Sequence, residues 1–168
     1  MAGTGLKSYS CPITGAKPMD LILWRHAEAE DGFPDRERAL TAKGHKQAKK
    51  MASWLKSRLP QDLCILVSPA KRALQTAAAL ELDFSMLEEI APGASPHDLL
   101  KAARWPRGER SVLIVGHQPT LGKVAALLLG GQDVSLNIKK GGIWWFTSRR
   151  NFGRYESVLR AVVSPDLL

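Results

Sequence analysis

From Asp20 onward the chain alternates short apolar runs with amphipathic stretches. Leu21-Ile22-Leu23-Trp24 is too short for a helix and runs straight into Arg25-His26. Leu63-Cys64-Ile65-Leu66-Val67 leads to Ser68-Pro69-Ala70-Lys71-Arg72, and Ser111-Val112-Leu113-Ile114-Val115 leads to Gly116-His117. Unbroken apolar runs of this length are the pattern of strands covered on both faces, as in a parallel sheet between helices. In the stretch after Leu40-Thr41, Ala48, Met51, Ala52, Leu55 and Leu59 recur at helical spacing while Lys43, Lys46, Lys49, Lys50 and Lys56 turn mostly away. Thr41 suits the N-cap of that helix, and Pro60 is expected to end it.

Ser68-Pro69 reads as a capping hydroxyl followed by proline at the first helical position, which places Arg72 in the first turn of a second helix. Further helices are predicted from Ser95 through Arg104 and from about Thr120 to Leu129, after Pro119. The last third is β-prone in short pieces: Leu136-Asn137-Ile138, Gly142 to Thr147, and Tyr155 to Val163, separated by Lys-Gly-Gly and Arg-Arg-Asn-Phe-Gly turns. These pieces should complete the sheet with an antiparallel pair at one edge. Trp144 and Trp145 would then face opposite sides, as core and surface cover rather than a platform for stacking bases. The expected fold class is α/β, a three-layer α/β/α sandwich with a mostly parallel central sheet.

Open sheets of this kind place their ligands beyond the carboxyl ends of the strands. There the sequence puts Arg25 with His26, Arg72 one helical turn on, and His117. Taken singly, an Arg-His pair is an ordinary solvated strand end and Gly-His an ordinary turn. Together, two imidazoles and two guanidiniums with no thiol or carboxylate at ligand spacing describe a phosphate pocket, favoured further by the positive end of the second helix. Arginines would repel a metal ion held by His26 and His117, so no metal and no cofactor are expected. His45 and His97 fit surface positions.

Composition narrows the class. A chain of 168 residues with 45% hydrophobic positions can bury one core, so residues 19–168 are expected to form a single domain. Residues 1–18 lack the apolar core of a secretory signal and read as a mobile arm. No apolar run reaches membrane-spanning length. Cys11 and Cys64 are too few for a disulfide framework, which fits a reducing cytoplasm. The net charge of +8 invites a nucleic-acid partner, yet the basic residues are dispersed and carry no recognised motif. A basic field that concentrates phosphorylated substrates accounts for the same charge; no nucleic-acid or membrane partner is expected, and a monomer is.

Four ordered motifs resemble the histidine phosphatase superfamily. They are Leu23-Trp24-Arg25-His26-Ala27-Glu28-Ala29; Leu40-Thr41 with Gly44 and Gln47-Ala48; Ser68-Pro69 with Arg72-Ala73 and Gln75-Thr76; and Val115-Gly116-His117-Gln118-Pro119-Thr120-Leu121. Within it the chain is similar to the small SixA-like phosphohistidine phosphatases. Ala27 stands where the superfamily usually has glycine, which marks a subgroup. The resemblance implies a phosphoglycerate mutase-like fold, and the short chain leaves no segment to build the lid subdomain of larger relatives.

The resemblance also implies roles. His26 would be the nucleophile, whose neutral ring nitrogen can attack phosphorus without first losing a proton. Arg25, Arg72 and His117, the last as imidazolium, would hold the phosphoryl oxygens. Glu89 occupies the place of the proton-donating glutamate in relatives, with Glu88 and Glu28 as competitors. An open pocket implies a phosphorylated protein as substrate, such as a histidine-phosphorylated carrier or signalling domain. A small phosphorylated molecule is the alternative, and a non-catalytic phosphate-binding module would not need the nucleophile.

Overall fold

The computed structural model describes residues 17–131, 134 and 136–168. The predicted arm and Cys11 lie outside the described residues, apart from Lys17, which pairs with Asp62 at 2.5 Å, and Pro18. Six strands form one sheet: β1 (Met19–Arg25), β2 (Leu63–Val67), β3 (Ser85–Met86), β4 (Ser111–Gly116), β5 (Ile143–Asn151) and β6 (Arg154–Val163). Their order is β3-β2-β4-β1-β5-β6. The first four run parallel, and β5 pairs antiparallel with both β1 and β6.

Helices α1 (Ala42–Lys56) and α2 (Lys71–Ala78) cover one face, and α3 (Pro96–Ala102) and α4 (Thr120–Leu128) the other. Alternation along β1 divides the core accordingly. Ile22 and Trp24 pack with Met51, Leu55, Ala73 and Ala77, while Leu21 and Leu23 pack with Leu99, Leu121 and Val124. The expected three-layer sandwich is therefore present, its central strands buried on both faces. Trp145 joins the α1 side, and the half-buried Trp144 stacks on Phe146 on the other. Among the described residues no helix is long and apolar enough to cross a membrane.

The structure corrects several sequence expectations. Thr41 does cap α1, accepting the Gly44 N–H at 2.9 Å. The regular helix stops at Lys56, four residues before Pro60: Arg58 and Leu59 share the Leu55 carbonyl in a tightened last turn, and Pro60 has no N–H to carry the ladder on to Lys56. Helix α2 begins at Lys71 and not at Ser68-Pro69; Ala70 is its cap residue, with no side-chain bond, and the Ser68 hydroxyl is engaged elsewhere. Residues 136–138 form no strand. Their carbonyls at Leu136 and Ile138 take side-chain donors from Gln118 and Arg25 instead of a ladder. Arg149 to Asn151 belong to β5 and not to the turn, since Phe152-Gly153 closes the hairpin with both residues at positive φ. Strand β3, two exposed residues at the sheet edge, has no apolar signature in the sequence.

Candidate active site

Strands β1, β2 and β4 lie side by side and end at the same level, as Arg25 opposite Gly116 and Val67 opposite Val115 show. Their carboxyl ends carry Arg25 and His26, Ser68, and His117, and the first turn of α2 adds Arg72. All four residues of the expected phosphate pocket line one cavity of about 350 Å³, whose charged lining is completed by Asp35, Arg38 and Lys140. These last three were not singled out in the sequence.

His26 is buried, with 9% of the residue exposed. Its Nδ1 lies 2.7 Å from the Ala27 carbonyl oxygen, which can only accept, so the ring proton sits on Nδ1. Nε2 is then the lone-pair nitrogen, and the Nε–H of Arg72 reaches it at 3.3 Å. Burial, with Arg72, Arg25 and Arg38 nearby, pushes the His26 pKa down to about 4 against the ordinary 6.5. The ring is neutral at pH 7, in the form a nucleophile needs.

His117 stands with its ring centroid 5.1 Å from that of His26. Its Nε2 is 2.7 Å from the buried Ser68 hydroxyl, and its Nδ1 has no partner among the described residues. Burial first, then the neighbouring cationic groups, pushes its pKa down to about 3. The expected imidazolium is therefore disfavoured in the protein alone, because burial and the surrounding cationic groups outweigh the one opposing carboxylate, Asp35. Arg25 donates to the Ile138 carbonyl at 2.6 Å and to Asn137 Oδ1 at 3.4 Å, which orients it, while its buried Nε has no partner among the described residues.

A ring titration by NMR on the ligand-free protein should show His26 changing charge near pH 4 and His117 near pH 3. In the unfolded chain both take protons around 6.5, so acidification from there toward pH 4 favours unfolding and the fold gains stability as pH rises through that window. A His26 midpoint near 6.5 would contradict the burial argument.

The remaining motif residues hold the loop that follows the nucleophile. Thr76 accepts the Ala27 N–H at 3.0 Å, Gln47 the Glu28 N–H at 2.9 Å, and Gln75 the Leu40 N–H at 2.7 Å. Gly44 lets α1 approach this loop, for a Cβ there would fall 1.9 Å from the Glu28 carbonyl oxygen. The methyl of Ala27 is fully buried against Leu40 and Ala48, so the loop accommodates alanine at this position. On the other side Gly141, at φ +73°, accepts the Trp24 indole N–H and donates to the His26 carbonyl, which holds the loop carrying Lys140 against the pocket.

The candidate proton donors fare differently. Glu89 is exposed and lines a separate cleft with Leu87, Asp98, Lys101 and Arg104, because the 3-10 turn Glu88–Ile90 buries Ile90 and points its acidic residues outward. Glu88 is paired with Arg36 at 3.0 Å. Glu28 is held ionised by Lys43 and accepts from Thr41 at the start of α1. None of the three lines the pocket. The carboxylate that does is Asp35, kept below its usual range by Arg72 and Arg38. His45 and His97 are exposed, as expected.

The sequence and the fold have counterparts in known proteins. A model of the histidine phosphatase superfamily (branch 1) matches residues 21–92. The phosphohistidine phosphatase SixA homolog of Haemophilus influenzae is 38% identical over 132 residues, covering 68% of this chain and 80% of that protein. Phosphohistidine phosphatase SixA of Escherichia coli is 32% identical over 123 residues, covering 68% and 76%. The chain belongs to the histidine phosphatase superfamily. Among solved structures, the putative phosphohistidine phosphatase SixA from Agrobacterium tumefaciens superposes with a TM-score of 0.74 at 25% identity, over 88% of this chain and 99% of that one. The protein histidine phosphatase SixA complexed with tungstate gives 0.71 at 25% identity, over 89% and 99%.

Proposed function

We propose that this protein is a phosphohistidine phosphatase that works through a phosphorylated His26. The observation that carries the reading is the fixed tautomer of His26, with the Nε2 lone pair presented into a pocket of guanidiniums. In the first step Nε2 forms a bond to phosphorus while the bond from phosphorus to the substrate's ring nitrogen breaks, its electron pair staying on that nitrogen. In the second, water adds to phosphorus and the pair of the His26–phosphorus bond returns to Nε2. Arg25, Arg72 and the unpartnered Nδ1 of His117 would hold the equatorial oxygens, with Lys140 and Arg38 adding positive charge at the rim.

The substrate class follows from the proton inventory. An alkoxide leaving group needs a proton donor, and a pocket carboxylate ionised by two arginines is unsuited to supply one. An imidazole leaving group makes no such demand once its second nitrogen is protonated. The basic rim fits docking to an acidic, histidine-phosphorylated protein domain rather than to nucleic acid. Among the described residues Cys64 is a free thiol, in keeping with a reducing cytoplasm.

Turnover of a histidine-phosphorylated carrier protein and a phosphohistidine peptide should be compared with that of sugar phosphates, nucleotides and phosphoserine, all in EDTA. The highest kcat/KM should fall on the phosphohistidine substrates, with no loss from the chelator and competitive inhibition by vanadate. A preference for one small phosphomonoester, or activity that vanishes in EDTA and returns with a divalent metal, would overturn the reading.

A further inference from the structure

Asp35 is a carboxylate in an anion-binding pocket, and simple phosphate binding gives no reason for it. It sits in the 3-10 turn Asp35–Glu37, at the pocket mouth. Its Oδ2 accepts from Arg72 Nη2 at 2.9 Å, its backbone oxygen from Arg72 Nη1 at 2.6 Å, and its Oδ1 from Arg38 Nη1 at 3.0 Å. Arg38 is itself tied down through its Nε to the Glu30 carbonyl at 2.7 Å. The carboxylate is thus clamped between two guanidiniums, yet its side chain is 54% exposed, and each oxygen keeps an accepting position open.

We propose that Asp35 is a specificity determinant of this site: its carboxylate accepts the N–H of the substrate's protonated imidazole ring and so selects phosphorus–nitrogen over phosphorus–oxygen substrates. The assignment rests on the phosphohistidine reading above. A phosphorylated histidine carries phosphorus on one ring nitrogen and can carry a proton on the other. When His26 Nε2 bonds to phosphorus, the old phosphorus–nitrogen bond breaks and its electron pair stays on the ring. The ring leaves as neutral imidazole with its N–H intact, so no proton is transferred in the step. A carboxylate beside that N–H keeps the ring in its protonated form, from which it leaves readily.

The same charge acts the other way on a phosphomonoester. There the leaving oxygen gathers negative charge, which an ionised carboxylate repels and does not protonate. Arg72, meanwhile, has its outer nitrogens occupied by Asp35 while its Nε points at His26, so the clamp also aims the arginine at the reacting nitrogen. Selection and aiming predict different results.

Asp35→Asn is nearly isosteric and leaves the backbone carbonyl contact to Arg72 in place. It should lower kcat/KM on a phosphohistidine peptide by about tenfold or more, the scale of a hydrogen bond to a charged group. On p-nitrophenyl phosphate, which shares only the aiming of Arg72, kcat/KM should fall by no more than a few-fold, so that the ratio of the two efficiencies drops, and inorganic phosphate should inhibit more tightly. Asp35→Ala should behave alike, and Asp35→Glu, which restores the charge, should recover part of the ratio. A proportional fall on both substrates in Asp35→Asn would overturn the assignment alone and reduce Asp35 to a support for Arg72. Wild-type protein that prefers p-nitrophenyl phosphate outright would overturn the phosphohistidine reading and the assignment with it.

Discussion

His26→Ala should abolish turnover, with a loss on the order of 10⁴ or more, the scale seen when the nucleophile of a covalent mechanism is removed. The fold should survive, because the His26 backbone bonds to Gly116 and Gly141 do not depend on the ring. His117 does not present its Nε2 in the same way. Its Nε2 is bonded to Ser68, and it is Nε2 of His26 that receives the Arg72 N–H. Steady-state assays on a phosphohistidine peptide, with circular dichroism to confirm folding, check the point. Retention of a tenth of wild-type activity would show that another group attacks phosphorus.

Arg72→Ala should cost about 10²–10³ in kcat, the usual consequence of removing one donor aimed at transition-state charge. Arg72 is 4% exposed and reaches both the nucleophile and Asp35, so its loss removes the oxyanion contact and the aim of the pocket together. Arg72→Lys should recover little, since a point charge cannot address Asp35 and the phosphoryl group through separate N–H donors. Near-normal kcat in a folded Arg72→Ala protein would mean the pocket is organised around different residues.

The strands and the four pocket residues were legible because the signal is local. A short apolar run ending in Arg-His or Gly-His marks a buried strand and its functional end without reference to the rest of the chain. What was illegible depends on distant partners. Ser68-Pro69 has the appearance of a helix cap, but its hydroxyl is drawn to His117, far along the sequence, and α2 starts later. Asp35 and Arg38 stand in a run of alternating charge, Asp35-Arg36-Glu37-Arg38, that the sequence gives no reason to single out, and only the fold of the loop carries them to Arg72 and into the pocket. Their one local sign is a turn residue, Pro34, ahead of a charge run that leads into Leu40-Thr41. Glu89 shows the reverse case. The resemblance suggested a proton donor at that position, whereas burial of Ile90 directs the glutamate into a separate cleft.

The central claim is that phosphate passes through Nε2 of His26, and one measurement tests it most directly. The protein is mixed with a peptide carrying labelled phosphohistidine, quenched in base within milliseconds, and the label mapped by mass spectrometry on the intact chain and its fragments. The label should appear on His26 as an acid-labile, base-stable adduct that decays as free phosphate accumulates, and it should be absent from His26→Ala. Label on His117, or full release of phosphate with no adduct at any time point, would contradict the account.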